Sequence, residues 1–586
     1  MKEYRWQLLA LIVAIILFVT SFVLTRPNTP APSPAPTPQP TTQSADLAPT
    51  STPTDTPAQP VMVDNSSAPV SDGIITYREG LVGRVGRLNP LYASLNPVDD
   101  DITSLIFEGM TKINQYGEIH PSLAQEWAVA FDGLEYMVIL RNDVLWQDGT
   151  PFTANDVVYT ISLLQSPDFD GDEALGAFWR TVEVQKVNDH LLRFRLAQPL
   201  ATFPEAMRIG ILPEHALRGT TASQLASHPF NLSPIGTGAY QLEAIRTNGN
   251  TIRAIDLRVA PNYRLRPERA MGYALERVRF QIFDDYAGVV NALRNGDIDA
   301  YATHTSDERP ELLSLGAMIT PYTSYESVLG VLLFNWTRES VSYFQDERVR
   351  EALIMGLDRS SLVEKALFNK AVRADSPLSP LSWAYAYGDE INAQWQTDFN
   401  LAVSELSIVA SRLGTGNNSP ILTFNVLTVD RPDLIRLANE MVAQWRALNV
   451  TATVEAVDVD TFNTRLDNGD FDTVLVELTK EGDADPDVYS FWHEGQYPDG
   501  KNYSGINDRA ISEALERARR DVNGTNRTVF YHNFQREFIQ KAVAIPLYHP
   551  IFTYATNPNV VGVQLGFIGT SSDRFMTIQD WRIINN

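Results

Sequence analysis

Apolar and polar positions fall into three successive textures along the chain. Leu8 to Leu24 is an apolar run without charge. With Trp6 and Thr25 it makes roughly 19–20 residues, which as a helix spans roughly 29 Å, close to the ~30 Å hydrocarbon core of a bilayer. Pro27 to Asp72 is built largely from Pro, Thr, Ala, Ser and Gln, with almost no large apolar residue. Such a stretch cannot bury a core and favours extended, solvated backbone. From Gly73 onward, apolar positions recur with the periods of strands and helices.

In that third part, short apolar runs alternate with helical stripes. Ile74-Ile75-Thr76-Tyr77 predicts a first strand, ended by glycines at 80, 83 and 86. Met137-Val138-Ile139-Leu140 predicts another, entered from the Asp132-Gly133 turn. Thr153-Ala154-Asn155-Asp156 has the form of a helix start, and Val157, Val158, Ile161 and Leu164 supply its buried stripe. Val182–Val187 and Leu192–Leu196 predict a hairpin. Ala287 to Leu293 predicts a helix stopped at Gly296. Helices and strands then alternate through Asp346–Phe368, Leu422–Leu427, Leu434–Leu448 and Val450–Val457. That alternation predicts an α/β architecture with some local antiparallel structure.

Composition narrows the function. At 586 residues, 44% hydrophobic and 20% charged, the chain suits two or three globular domains. A formal net charge of −24 argues against nucleic-acid binding, which needs a basic face. The absence of cysteine excludes disulfides, thiolate metal sites, cysteine nucleophiles and a lipid carried on an N-terminal cysteine. Lys2 and Arg5 precede the first apolar run and only Arg26 follows closely, so it predicts a single-pass anchor of the cell membrane with the N-terminus inside and the rest extracytoplasmic. No Ala-x-Ala site follows, which favours a retained anchor over a cleaved signal peptide.

Catalytic motifs do not emerge. Gly236-Thr237-Gly238 has no glycine at Gln241, and His493-Glu494 meets Tyr497 in place of a second histidine. There is no Walker A loop and no Gly-x-Ser-x-Gly elbow. The eight histidines are scattered. The expectation is a non-enzyme without metal or cofactor.

An ordered series of short motifs carries a resemblance. It runs through Leu88-Asn89-Pro90, Phe107-Glu108-Gly109-Met110, Pro121-Ser122-Leu123-Ala124-Gln125-Glu126-Trp127, Asp132-Gly133-Leu134-Glu135-Tyr136, Leu140-Arg141 and the stretch Trp146–Val158. It continues with Ile235-Gly236-Thr237-Gly238-Ala239-Tyr240, Gly296-Asp297-Ile298-Asp299, Phe334-Asn335 and Asp346-Glu347-Arg348-Val349-Arg350-Glu351-Ala352. Asp358-Arg359, Asp485-Pro486 and Ile545-Pro546-Leu547 complete it. Together these resemble the extracellular solute-binding protein family 5, which holds the dipeptide-, oligopeptide- and nickel-binding components of ABC importers.

The resemblance implies an α/β, two-lobed periplasmic-binding-protein-like fold: a type II Venus flytrap of the large cluster, with an extra subdomain, preceded by a transmembrane helix and a Pro/Thr-rich linker. The expected organisation is an anchor at 1–26, a disordered linker at 27–72, lobe I at 73–322 with the extra subdomain, lobe II at 323–546, and a return to lobe I at 547–586. The crossovers would lie near Tyr322 and Leu547. The implied function is a membrane-tethered receptor that delivers a solute to ABC permease and ATPase subunits. A peptide or another amine- or carboxylate-bearing solute comes first, an oligosaccharide second and a metal chelate third. A sensory or structural surface protein without a transport partner is the alternative from another class.

The resemblance also nominates site residues. Val429-Asp430-Arg431-Pro432 is similar to a turn in which dipeptide-binding relatives hold the peptide carboxylate, a task suited to a guanidinium fork. The competing reading of Arg431 is an ion pair with Asp430 or Asp433. Peptide-binding relatives meet the ammonium pole with an aspartate in a Trp-x-x-Asp-x-x-Asp-Pro motif. Aligned on Asp485-Pro486, this sequence has Thr479 and Gly482 at the key places, so Asp483 is the substitute, with Asp485 beside it. Trp383 and Tyr385, in one loop with Tyr387, offer aromatic faces, as do Tyr489 and Trp492. Asn502 lies in a segment similar to a cleft-edge loop, and Ser94 and Asn96 follow the Leu-Asn-Pro box at the expected rim. The stretches at 148–151 and 153–156 read as a turn and a helix cap, and Arg348 and Arg350 as surface or interlobe ion pairs.

Overall fold

The computed structural model describes residues 61–64, 73–267, 272–388, 396–415, 419–480 and 484–584. The apolar run expected to anchor the chain lies outside them. Among the described residues, no helix is long and apolar enough to cross a membrane. Within the Pro/Thr-rich stretch one run does pair: Val61–Asp64 forms an edge strand parallel to Tyr240–Asn248. Its Val-Met-Val sequence is the one place there with strand-forming side chains in succession.

Two large hydrophobic cores divide most of the rest, with a smaller one built from Val289–Ile319 and Ala555 beside them. One gathers residues from Tyr77 to Ala302 and again from Phe552 to Trp581. The other gathers residues from Leu329 to Tyr548. The chain therefore forms two α/β lobes, the first built from two separated stretches. In lobe I the strands run in the order 61–64, 240–248, 251–259, 277–283, 76–82, 300–302 and then the long strand Ala544–Thr556. In lobe II the same long strand is followed by 328–334, 473–479, 422–429 and 450–457.

One strand thus serves both lobes. Its C-terminal half pairs antiparallel with Thr320–Tyr325, Tyr325 opposite Ile551. Its N-terminal half pairs with Val328–Phe334, Gly330 opposite Tyr548. Only Glu326 and Ser327 separate the two partner strands, so both chain crossings lie side by side. Gly330 makes this possible: a Cβ there would stand 2.2 Å from the Tyr548 ring.

A four-stranded antiparallel sheet adds a subdomain to lobe I, in the order 124–129, 135–140, 191–195, 183–188. It contains the expected hairpin, with Glu183 opposite Arg195. The helix Ala154–Gln165 starts as expected, Thr153 and Asp156 forming a reciprocal capping box. Helix Tyr286–Asn295 ends at Gly296 in the left-handed region.

Two expectations need correction. The first strand runs from Thr76 to Val82 and passes through Gly80. Parallel partners on both sides carry it through, and Gly80 is there for close packing, since a Cβ would meet the Ile298 side chain at 2.6 Å. Arg350 is in no ion pair among the described residues. It is buried, and its guanidinium donates to the main-chain oxygens of Ala542, Phe344 and Lys541, which makes it a helix-joining donor. Arg348 does face a carboxylate, Glu405, at 3.7 Å.

Candidate ligand-binding cleft

The lobes line an open cavity of about 1480 Å³. Drug-sized sites occupy roughly 300–1,000 Å³, so this one has room for an extended ligand. Lobe I supplies most of the wall, from the 3-10 turn Ala93–Leu95, the helix Pro97–Ile106, the segment after it and the return segment near Ser572. Lobe II contributes Val328 and Thr479, and the crossover contributes Glu326 and Ser327. A second cavity of about 70 Å³ shares Glu326, Ser327 and Val328 with the first and extends into lobe II past Asp485, Trp492 and His549.

Carboxylates dominate the charged part of the wall, among many Ser and Thr hydroxyls. Glu108 is held by the Arg266 fork at 3.0 and 2.8 Å, and Glu205 and Asp573 flank Arg208. Asp100 has a different setting. Burial, with Asp101 alongside and the Ser572 hydroxyl opposing, pushes its carboxyl up to about 6. Burial next to Glu477, opposed by Arg431, pushes Glu326 up to about 7. Phe107, Phe178, Tyr263 and Tyr273 supply aromatic faces.

The lobes also touch directly. Ala201 N–H donates to the Arg519 carbonyl at 2.7 Å, Ala484 N–H donates to Glu205 at 3.2 Å, and Lys370 pairs with Asp307. Ile113, Ala484 and Phe567 form a small apolar cluster across the gap.

The nominated residues take different places. Ser94 lines the large cavity. Asn96 is not among the described cavity walls; it is a helix cap, accepting from Val98 N–H and donating to the Arg84 carbonyl. Asp485 lines the smaller cavity, but its buried carboxylate accepts from Arg527 at 2.7 Å and from Tyr531. Asp483 lies outside the described residues. Asn502 is buried and bonds to the carbonyls of His493 and Ile506 and to Ser504. Trp383 packs edge-on to Tyr531 under the Arg527 guanidinium, and Tyr385 packs on Tyr387; neither is among the described cavity walls.

Arg431 also stands behind the walls. Its fork meets Glu477 at 2.7 and 2.8 Å, and its Nε donates to Asp433 at 2.8 Å. Burial works against the charge, but Glu477 and Asp433 outweigh it and hold the guanidinium above its ordinary value. The Tyr548 hydroxyl completes the group by donating to Glu477 at 2.6 Å.

Wall residues that the motifs did not single out are Asp100, Arg208, Glu326 and His549. One of them had a signal: Glu326 is the sole charged residue between Gly316 and Trp336, a polar break inside a β-rich run. His549 is marked only by its neighbours in space.

A model of the family described as bacterial extracellular solute-binding proteins, family 5 Middle, matches residues 118–499. The chain is 24% identical over 520 residues to the oligopeptide-binding protein AppA of Bacillus subtilis (strain 168), covering 85% of this chain and 91% of that protein. It is 22% identical over 469 residues to the dipeptide-binding protein of Escherichia coli (strain K12), covering 74% and 81%. Among solved structures, HbpA2 from Haemophilus parasuis superposes with a TM-score of 0.75 at 19% identity, covering 87% of this chain and all of that one (100%). AppA from Bacillus subtilis in complex with a nonapeptide gives 0.60 at 21% identity, covering 87% and 99%.

Proposed function

The chain belongs to the bacterial extracellular solute-binding proteins, family 5, and from that premise we propose that it captures a peptide or a similar amine- or carboxylate-bearing solute between its lobes and hands it to an ABC permease. The observation that carries this reading is the cavity of about 1480 Å³ lined from both lobes and their crossover. Its volume suits an extended chain, and its carboxylates and aromatic faces suit one that bears amines and amides. Closing requires the solute to favour the closed arrangement over the open one, since equal affinity for both shifts nothing.

Ser94 on the lobe I wall and Asp485 in the smaller cavity are the nominated residues best placed for this role. Asp483, the neighbour of Ala484 in sequence, is proposed to join them. Arg431 acts through Glu477 unless the solute displaces that carboxylate. Asn96, Asn502, Trp383 and Tyr385 shape the walls from behind. Lobe I would comprise 73–322 and 547–586, lobe II 323–546, with the hinge where the paired crossings meet.

The apolar run Leu8–Leu24 would tether the receptor, with Pro27–Asp72 as its spacer. N-terminal sequencing of membrane-fraction protein should find Met1 or Lys2; a start beyond Thr25 would mean that the segment is cleaved. The solute reading is tested by native mass spectrometry of the protein as purified, followed by calorimetry with peptide and oligosaccharide pools. Retention or binding of peptides supports it. Binding of oligosaccharides alone would replace it, because aromatic faces stack on sugars as well.

A further inference from the structure

Around the smaller cavity most polar groups are already engaged. Lys480 Nζ donates to the Asp485 main-chain oxygen. The Asp485 carboxylate holds Arg527 and Tyr531, and Glu477 is taken by Arg431 and Tyr548. Two groups differ. Glu326 lines both cavities, and among the described residues no cation or donor lies within bonding reach of its carboxylate. Its main chain is fixed all the same, the N–H donating to the Pro550 carbonyl at 3.0 Å. His549, only 2% exposed, also lines the smaller cavity. Its Nδ1 stands 2.8 Å from the Val328 carbonyl, so that nitrogen carries the proton. Nε2 is then a buried acceptor, and it has no partner among the described residues.

One anionic acceptor open to the cavity and one buried neutral acceptor, both on the wall of the same small cavity at the crossover, call for a group that brings positive charge and more than one N–H. We propose that Glu326 and His549 form a subsite for a primary ammonium group of the solute. Trp492, whose Nε1 donor is likewise without a partner among the described residues and whose ring lines the same cavity, would meet an oxygen close to that ammonium. The volume of about 70 Å³ holds an ammonium and a short stretch of chain, water occupying about 30 Å³ per molecule in the liquid. The proposal rests on the solute reading above only for what the ammonium is attached to.

A consequence in pH follows. The charged and titratable groups facing Glu326 and His549 are Glu477, Arg431, Lys480, Asp485 and, behind His549, Asp375. Burial and then Glu477 raise the Glu326 carboxyl to about 7, against Arg431. Burial lowers His549, which keeps it neutral. An ammonium favours the carboxylate, so binding expels the proton that Glu326 carries below neutrality. Affinity should therefore fall as pH drops, by roughly 30-fold from pH 8 to pH 5.5, since each pKa unit is a factor of ten.

The test uses the full-length chain and two probes of equal charge, n-pentylamine and n-pentyltrimethylammonium, followed by ligand-observed NMR. The amine should bind at least tenfold better than its trimethyl analogue, which has no N–H to give. Glu326→Gln should weaken the amine at least tenfold and abolish the pH dependence, with thermal melts confirming the fold. Wild-type titrations in buffers of different ionisation enthalpy should show proton release at pH 6.5 without any variant. Equal binding of both probes, or an amine affinity indifferent to pH and to Glu326→Gln, overturns the subsite. A lysine-free pool of tri- to hexapeptides separates the two readings. Peptides binding while the amine does not would sink the subsite alone. The amine binding while no peptide does would sink the peptide reading alone. Failure of both probes and peptides would sink both.

Discussion

Each lobe grips its own end of the shared strand, and the two grips are built alike but seated differently. In lobe I, Tyr554 donates to Glu79, which Arg574 holds together with Asp101 at 2.6 and 2.9 Å. Arg574 and Glu79 are wholly buried and Asp101 nearly so. In lobe II, Tyr548 donates to Glu477, which Arg431 holds together with Asp433, but the Arg431 side chain is 39% exposed. The first grip joins the first strand, the helix after it, the long strand and the return segment, so it assembles a lobe from distant pieces. The second joins elements of one continuous stretch, is reached by water and lies beside Glu326. The lobe I grip is therefore closed off from water and the lobe II grip is open to it.

The largest expected effect comes from breaking the buried grip. Arg574→Met leaves Glu79 and Asp101 facing each other without a cation, and breaking such a pair costs about 3–5 kcal/mol. Urea unfolding should register that loss. A change below about 1 kcal/mol would erase the distinction between the two ends.

Asp100 sharpens the comparison from the cavity side of the same helix. Its carboxyl is raised to about 6, chiefly by burial, against about 3.9 in an unfolded chain. A group with a raised folded value binds its proton more tightly when folded. Its stabilising contribution is complete below about pH 4 and is lost as pH rises through about 6. Asp100→Asn should therefore gain about 1–3 kcal/mol at pH 7.5 and nothing at pH 4, as read from melting at both values. A gain at pH 4 would show that the side chain acts through packing and not through charge.

The smallest effect belongs to the exposed grip. Arg431→Ala should cost at most about 1 kcal/mol of stability and leave solute affinity within about threefold by calorimetry, because the fork already holds Glu477. A 30-fold or greater loss of affinity with the fold intact would mean that Arg431 leaves Glu477 to hold a solute carboxylate, and that the lobe II end opens on binding.

The sequence made the local elements legible where one physical cause acts alone. Helix Pro432–Arg446 and strand Val450–Val457 follow their apolar periods closely, and Thr153 and Gly296 mark helix ends through capping and a left-handed turn. Gly80 misled because a glycine needed for close packing looks the same in sequence as one that ends a strand. Arg350 misled because a buried arginine can be satisfied by carbonyls as well as by carboxylates. The cleft was less legible still. The pairings that brace the lobes behind it span great sequence distances, with Asp101 and Arg574 separated by 473 positions and Arg431 and Glu477 by 46. Motif resemblance placed Ser94 and Asp485 beside cavities, but only the crossing of two strands brings His549 next to Val328 and Glu326.

The central claim is that the lobes close on a solute about the paired crossings. The chain has no cysteine, so two spin labels can be placed without background. Val187→Cys, 51% exposed in the lobe I subdomain, and Val459→Cys, 58% exposed in lobe II, are suitable positions. Pulsed electron–electron double resonance before and after addition of a peptide pool whose binding is confirmed by calorimetry should show the label-to-label distance shorten and its distribution narrow. Confirmed binding with an unchanged distance distribution would contradict the closing mechanism.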